Sequence, residues 1–256
     1  MKVCNLSSGS KGNCTCISSQ NTTILIDQGL TLRELSKRAT EREINLSKLS
    51  AIIITHEHID HIKGAEQLAR FYNIPLFIHN QSATKLGLQN LVEQIDMDSD
   101  FVVGDLAISP FRLPHDSAYN LGYRISDGNR CMSIATDLGI ASANIISKLC
   151  NTDMTIIEAN HDVSMLLKGR YPYHLKQRIL SANGHLSNTE CSQVARDIAH
   201  SGTKKIMLAH LSEDNNTPEL AFQSVCDGLK KVNIIEGKDI ALDIAQQRIP
   251  SRWIKL

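Results

Sequence analysis

Apolar and polar positions along the chain alternate between two periods. Short apolar runs bounded by Gly, Asn, Asp or Pro predict strands, and longer stretches with apolar residues three and four apart predict helices. The opening predicts strands at residues 2–6, 15–19 and 23–27, joined by the Gly-rich loop 7–13 and the Gln20-Asn21 turn. A helix at 31–38 and a buried strand at 51–54 follow. Then come a helix over 62–72, whose Ile62, Ala65, Leu68 and Ala69 share one face, and a strand at 76–78. The middle predicts strands at 101–103, 106–113, 121–125 and 131–135, the last two joined by Asp127-Gly128-Asn129, a hairpin sequence.

The second half predicts a helix at 142–149, a strand at 154–158, helices at 163–167 and 173–180, a strand at 205–209, a helix starting at Thr217-Pro218 and a strand at 240–245. Ser187 with Glu190 three residues on fits a capping box, opening a helix that runs to about His200 and is ended by Gly202. No linker or low-complexity tract interrupts the pattern. Residues 1–256 are therefore expected to form one mixed α and β domain, with two sheets packed face to face and helices outside.

Composition narrows the class. With 256 residues, 42% hydrophobic and 21% charged, the chain can bury a substantial core, and no stretch approaches the ~20 apolar residues of a membrane span. The start, Met1-Lys2-Val3-Cys4-Asn5, lacks the apolar run of a secretory signal, so a cytoplasmic location with no membrane partner is expected. The seven cysteines form no CxxC pair and read as reduced thiols, mostly small core residues. Lys and Arg total 27 against 27 Asp and Glu, so a polyanion would have to be bound by a local feature.

The strongest chemical signal is Thr55-His56-Glu57-His58-Ile59-Asp60-His61, between a buried strand and an amphipathic helix. In extended chain His56 and His58 point the same way, and Asp60 with His61 at the helix start face the same cleft. Imidazole and carboxylate together suit Zn²⁺, Mn²⁺ or Fe rather than Ca²⁺. His115, Asp137 and His210 each stand just past a short apolar run, where a strand end can project them into a common cleft.

On these residues, and on Leu25-Ile26-Asp27-Gln28-Gly29, the sequence resembles the metallo-β-lactamase-fold hydrolases over nearly its whole length. More narrowly it resembles the YycJ/WalJ group of bacterial nucleases. That likeness rests on Ser8-Gly9-Ser10-Lys11-Gly12-Asn13, Glu158-Ala159-Asn160-His161-Asp162, the stretch from Tyr171 to Ile179, Gly184-His185-Leu186-Ser187-Asn188, and Ala209-His210-Leu211-Ser212 with Asn215-Asn216. The resemblance implies an α/β (α+β) αββα sandwich with the site at one edge of the sheets. It implies a first metal on His56, His58 and His115, a second on Asp60, His61 and His210, and Asp137 bridging them. Asp27 would stand behind the ligands and orient them. Two divalent ions, Zn²⁺ or Mn²⁺ with Fe as a further choice, would then be the cofactors.

Two such metals, roughly 3.5–4 Å apart, activate a shared water and neutralise charge on a phosphate or carbonyl oxygen, so hydrolysis is the expected reaction class. A phosphodiester gains most from further donors. His185, before the capped helix, can face an anion or be a structural loop histidine, and the resemblance implies that it contacts the scissile phosphate or protonates the leaving oxygen. His161 either approaches the metals or stands behind their ligands, and is not assigned as a ligand. The stretch holding Lys168, Arg170, Lys176 and Arg178 with Tyr171 and Tyr173 contains no acid and suits a phosphate backbone with stacked bases, although a solvated helix face explains it equally well. Ser10, Lys11 and Asn13 of the Gly-rich loop, and Asn215, complete the candidate substrate contacts. The expectation is a nucleic-acid phosphodiesterase with Asp60 and His185 at the catalytic centre. The resemblance favours DNA, a single strand or an end, and 5′-to-3′ exonuclease action. The alternatives are a small-molecule hydrolase, acting on a cyclic phosphate or a glyoxalase II-type thioester, and a binding module with structural metals.

Overall fold

In the computed structural model, which describes residues 1–88, 92–96 and 99–256, the two expected sheets are present, each with seven strands. The first contains β1 (Lys2–Ser7), β2 (Cys14–Ser18), β3 (Thr23–Ile26), β4 (Ala51–Ile53), β5 (Leu76–His79) and β6 (Glu93–Ile95). The second contains β7 (Phe101–Val103), β8 (Leu106–Leu113), β9 (Asn120–Ser126), β10 (Cys131–Ala135), β11 (Met154–Glu158), β12 (Lys205–Ala209) and β13 (Ala241–Ile244), and β14 (Ile254–Lys255) returns to pair with β1. Each sheet follows one plan. β1 to β3 pair antiparallel and β3 to β6 parallel. β7 to β10 pair antiparallel and β10 to β13 parallel.

The layers follow from burial. Ile24, Ile26 and Ile53 of the first sheet pack against Leu121, Tyr123, Ile134 and Ile156 of the second, forming a central core. Alternate residues face outward: Leu25 and Ile52 meet α1 (Leu32–Glu41) and the second of the two short helices α2 (Ile59–Ile62) and α3 (Ala65–Tyr72). On the other side Ile157 and Leu208 meet α5 (Ala143–Leu149), α8 (Asn188–His200) and α9 (Pro218–Lys230). Three further helices, α4 (Asn80–Leu86), α6 (Val163–Lys168) and α7 (Tyr173–Ile179), complete the set. This is the αββα arrangement, and each buried Leu or Ile contributes roughly 1.5–3 kcal/mol to it.

Several local expectations shift. The capping box at Ser187 and Glu190 is present, with both reciprocal bonds. The helix expected over 62–72 is divided at Gly64, whose amide bonds Gln28 O and where a Cβ would meet Leu30 O at 2.2 Å. Helix α4 and the edge strands β6 and β14 are additions to the expected elements. Among the described residues no helix is long and apolar enough to cross a membrane, and all seven cysteines are free.

Candidate metal centre and active site

The site is assembled from the carboxyl ends of strands in both sheets. Past β4 the chain presents His56 and His58, and α2 carries Asp60 and His61. His115 follows β8, Asp137 follows β10, Glu158 ends β11 and His210 follows β12. Asp27, Asp137 and His210 all take the left-handed conformation, with φ of 61°, 61° and 56°. That conformation, uncommon outside glycine, stops each strand at the residue whose side chain turns toward the cleft.

All seven residues expected as metal ligands come together. His56, His58 and His115 offer donor atoms mutually within 4.8 Å, as do His56, His61 and Asp137, and Asp60, His61 and His210. Most of the imidazoles are fixed through Nδ1. His61 Nδ1 lies 2.8 Å from Asp27 Oδ2, His210 Nδ1 lies 2.8 Å from Glu158 Oε1, and His115 Nδ1 lies 3.1 Å from Gly184 O. His56 Nδ1 lies 3.0 Å from Thr55 Oγ1, a hydroxyl also 3.0 Å from both Asp27 oxygens. Such contacts set the tautomer and leave Nε2 for a cation. His56 Nε2, His210 Nε2 and Asp137 Oδ2 are buried with no hydrogen-bond partner. Unpaired buried atoms of this kind, on nitrogen and oxygen donors, are what a divalent metal would satisfy, so the residues fit the group.

Electrostatics agree. Burial alone would lower the His61 and His210 pKa values. The neighbouring carboxylates outweigh it: Asp27 and Asp137 hold His61 well above its ordinary value, and Asp137, Asp60 and Glu158 push His210 up to about 10. His56 faces mostly other imidazoles, and burial leads in lowering it well below 6.5.

Glu158 enters the sequence reading only as part of the family likeness and not as a site residue, although it ends an apolar strand just as Asp137 and His210 follow theirs. It is fully buried. Its Oε1 lies 2.8 Å from Nδ1 of both His185 and His210, and its Oε2 accepts from the backbone N–H of Leu138 and Leu186, each at 3.1 Å. His185 is thereby held beside the cluster, 5.1 Å from His115 and 5.4 Å from His210 between ring centroids. Burial works to lower the His185 pKa, but Glu158 and Asp137 raise it above 6.5. His185 also lines a cavity of about 170 Å³ with Ser10, Asp116, Tyr171, Arg178 and Ser212.

The remaining candidates are placed less openly. Asn13 is buried: its Oδ1 accepts from Gly9 N at 2.8 Å and its Nδ2 lies 3.0 Å from His61 Nε2. Asn215 is also buried, its side chain at Ser212 Oγ and its carbonyl accepting from Asp162 N. Lys176 Nζ donates to Leu167 O and Gly169 O at the end of α6. Arg178 pairs with Asp116, Arg170 with Asp214, and Tyr171 Oη donates to Asp214. Lys11 pairs with Glu213, while Ser10 is exposed. The acid-free stretch is thus answered by acids from other loops, which the local sequence does not reveal. His161 lies outside every donor group; it is buried with neither ring nitrogen bonded, and its backbone bridges to Ser187.

A fold of two mixed sheets with this His and Asp set at one edge defines a class, and the sequence comparison agrees: the beta-lactamase superfamily domain matches residues 22–211. The chain belongs to the metallo-β-lactamase-fold hydrolases and is a hydrolytic enzyme. It is 33% identical to exodeoxyribonuclease YycJ of Bacillus anthracis over 96% of both chains. It is 34% identical to exodeoxyribonuclease WalJ of Streptococcus pneumoniae, covering 91% of this chain and 90% of that one. Among solved structures, the metallo-beta-lactamase fold protein YhfI of Bacillus subtilis superposes with a TM-score of 0.74 at 19% identity, over 98% of each chain.

Proposed function

We propose that the protein is a metal-dependent phosphodiesterase acting on nucleic acid, a DNA exonuclease with 5′-to-3′ polarity. His56, His58 and His115 would hold one divalent ion, Asp60, His61 and His210 a second, and Asp137 would serve both, with Zn²⁺ or Mn²⁺ as first candidates and Fe behind them. When bound, such ions supply Lewis-acid polarisation of a phosphoryl oxygen and activation of water. The chain's own residues do the rest. Asp27 and Glu158 hold His61 and His210 in the tautomer that presents Nε2. His185, with Nδ1 engaged by Glu158, would give a proton to the leaving oxygen. Arg178, paired with Asp116, lines the small cavity together with His185.

The single observation that carries the reading is the Glu158–His185 pair beside the donor cluster, because a thioester, which releases a stabilised thiolate, gains less from a proton donor than a phosphodiester that releases an alkoxide. The YycJ and WalJ names support DNA and an exonuclease. The same reading takes residues 1–256 as one domain, since the central core draws on both sheets, and places it in the cytoplasm, in keeping with its free thiols. One observation favours the small-molecule alternative: Arg170, Lys176 and Arg178 are already tied to protein partners.

The test is nucleotide release from single-stranded DNA labelled at either end, by protein reloaded with Mn²⁺ or Zn²⁺, with Asp60→Ala as control. Stepwise metal-dependent release absent from the control is expected, the label giving polarity. Metal-replete protein that leaves DNA intact but turns over a cyclic phosphate or thioester overturns the nuclease reading.

A further inference from the structure

We propose that a cavity of about 410 Å³ beside His115 is a nucleoside pocket, seating the base and sugar next to the scissile phosphate; this rests on the phosphodiesterase reading above. Its size lies within the roughly 300–1,000 Å³ of small-ligand sites. Its position follows from the two imidazoles at the site's mouth. The pocket is lined by both His115 and Asn183, and Asn183 is two residues from His185. The 170 Å³ cavity on the His185 side shares no lining residue with it. The His115 and His185 rings are neighbours, with centroids 5.1 Å apart, so a phosphate bound beside them would adjoin both cavities.

The lining chemistry suits a nucleobase. Tyr119 stacks on His79 at 3.5 Å with planes 11° apart, and the Arg112 guanidinium lies 4.7 Å over the other partner of that stack, the Tyr119 ring. The outermost layer is thus a flat, delocalised cation, a surface on which bases stack. Ile140, 53% exposed despite its apolar side chain, supplies a second apolar surface, and the exposed amides of Asn144 and Asn183 offer donors and acceptors to base edges. No Asp or Glu lines the pocket among the described residues. In the larger cavity of about 840 Å³ Lys11, Arg170 and Arg248 are each paired with Glu213 or Asp214. An anionic, base-bearing ligand would meet those acids there and none among the lining residues of the first pocket.

The experiment compares wild type with Arg112→Ala combined with Asn183→Ala, both at exposed positions, on three substrates. These are a single-stranded oligodeoxynucleotide, the same strand with an abasic residue at either position flanking the first scissile phosphate, and bis(p-nitrophenyl) phosphate, a diester without nucleosides. The ratio of kcat/KM for the oligonucleotide to that for the small diester is expected to fall about 10- to 100-fold in the variant, the scale of one lost stacked base. The abasic penalty seen with wild type should shrink to near unity in the variant. If both substrates fall together, or the abasic penalty persists undiminished, the pocket does not read the base. Wild type that hydrolyses the small diester but no oligonucleotide overturns the underlying nuclease reading and the pocket with it.

Discussion

Glu158 Oε1 sits 2.8 Å from His185 Nδ1 while the paired oxygen takes the backbone N–H groups of Leu138 and Leu186, so one buried carboxylate fixes the proton donor, the residue after it and the residue after Asp137. The first oxygen also holds His210. Every partner of this carboxylate is a donor, and that makes the charge itself necessary.

Glu158→Gln should therefore be far from conservative. An amide has one acceptor oxygen, and either orientation sets its NH₂ against donors: the two backbone amides, or the two imidazoles. In the second case His210 would have to carry its proton on Nε2, where a metal is expected. We expect loss of metal from the Asp60, His61 and His210 set with the first set still loaded, and a rate loss of about 10²-fold or more. Metal content by mass spectrometry beside diester turnover checks this. Normal metal content with a rate within threefold of wild type would refute it.

Metal binding should expel protons even above neutral pH. In the metal-free protein His210 is pushed up to about 10, so at pH 8 its ring carries a proton on each nitrogen, and Asp27 and Asp137 raise His61 in the same direction. A cation that takes Nε2 displaces one proton from His210 and up to one from His61. Unperturbed imidazoles would be only about 3% protonated at that pH. Calorimetric titration with Zn²⁺ at pH 8, in buffers of differing ionisation enthalpy, should show release of between one and two protons from these rings. Affinity should weaken as pH falls. Release near zero would mean that the carboxylates do not hold those protons.

The sequence makes most of this architecture legible because strand ends and ligands coincide. Apolar runs at 131–135 and 205–209 announce the strands, and the polar residue just beyond each announces Asp137 or His210. The same rule would have found Glu158, passed over because it stands as the last residue of its run rather than the next. The helix break at Gly64 and the pairing of the basic stretch were not legible for a different reason. Both depend on segments distant in sequence: Gln28 and Leu30 in the first case, Asp116 and Asp214 in the second. Edge strand β14 has two residues, too few to carry a period.

Gly29 is the tightest contact behind the ligands. A Cβ there would lie 1.7 Å from Asp60 O, the carbonyl that also accepts from Asn13 N at 2.7 Å. Gly29→Ala must displace the turn carrying Asp60 and His61. We expect a stability loss of about 1–3 kcal/mol, occasionally more, with weakened binding at the Asp60 and His61 side. Denaturant unfolding and metal titration measure the two effects; a variant with unchanged metal affinity would show that the turn absorbs the methyl without moving its ligands.

Glu57, between His56 and His58, should make the fold sensitive to acid. Its Oε1 accepts from Lys85 Nζ and Ala118 N, each at 2.7 Å, and its Oε2 from Ser82 Oγ at 2.8 Å, tying the ligand loop to α4 and to the segment after His115. Burial works to raise its pKa, but these bonds outweigh it and bring the value down from 4.5 to about 2. A folded value below the unfolded one means that the stabilisation is complete above about pH 4.5 and is lost as pH falls toward 2. Converted directly the shift amounts to about 3 kcal/mol, and Lys85, 56% exposed, makes that an upper figure because solvent screens part of the pairing. Glu57→Gln keeps the shape and can still bond Ala118 and Ser82, so it removes chiefly the charge. In metal-free protein the variant should be less stable by about 1–3 kcal/mol at pH 7, with the gap closing as pH is lowered from 4.5 toward 2. Urea unfolding of both proteins across that range decides the matter, and a gap that stays constant down to pH 3 would assign the loss to packing instead of charge.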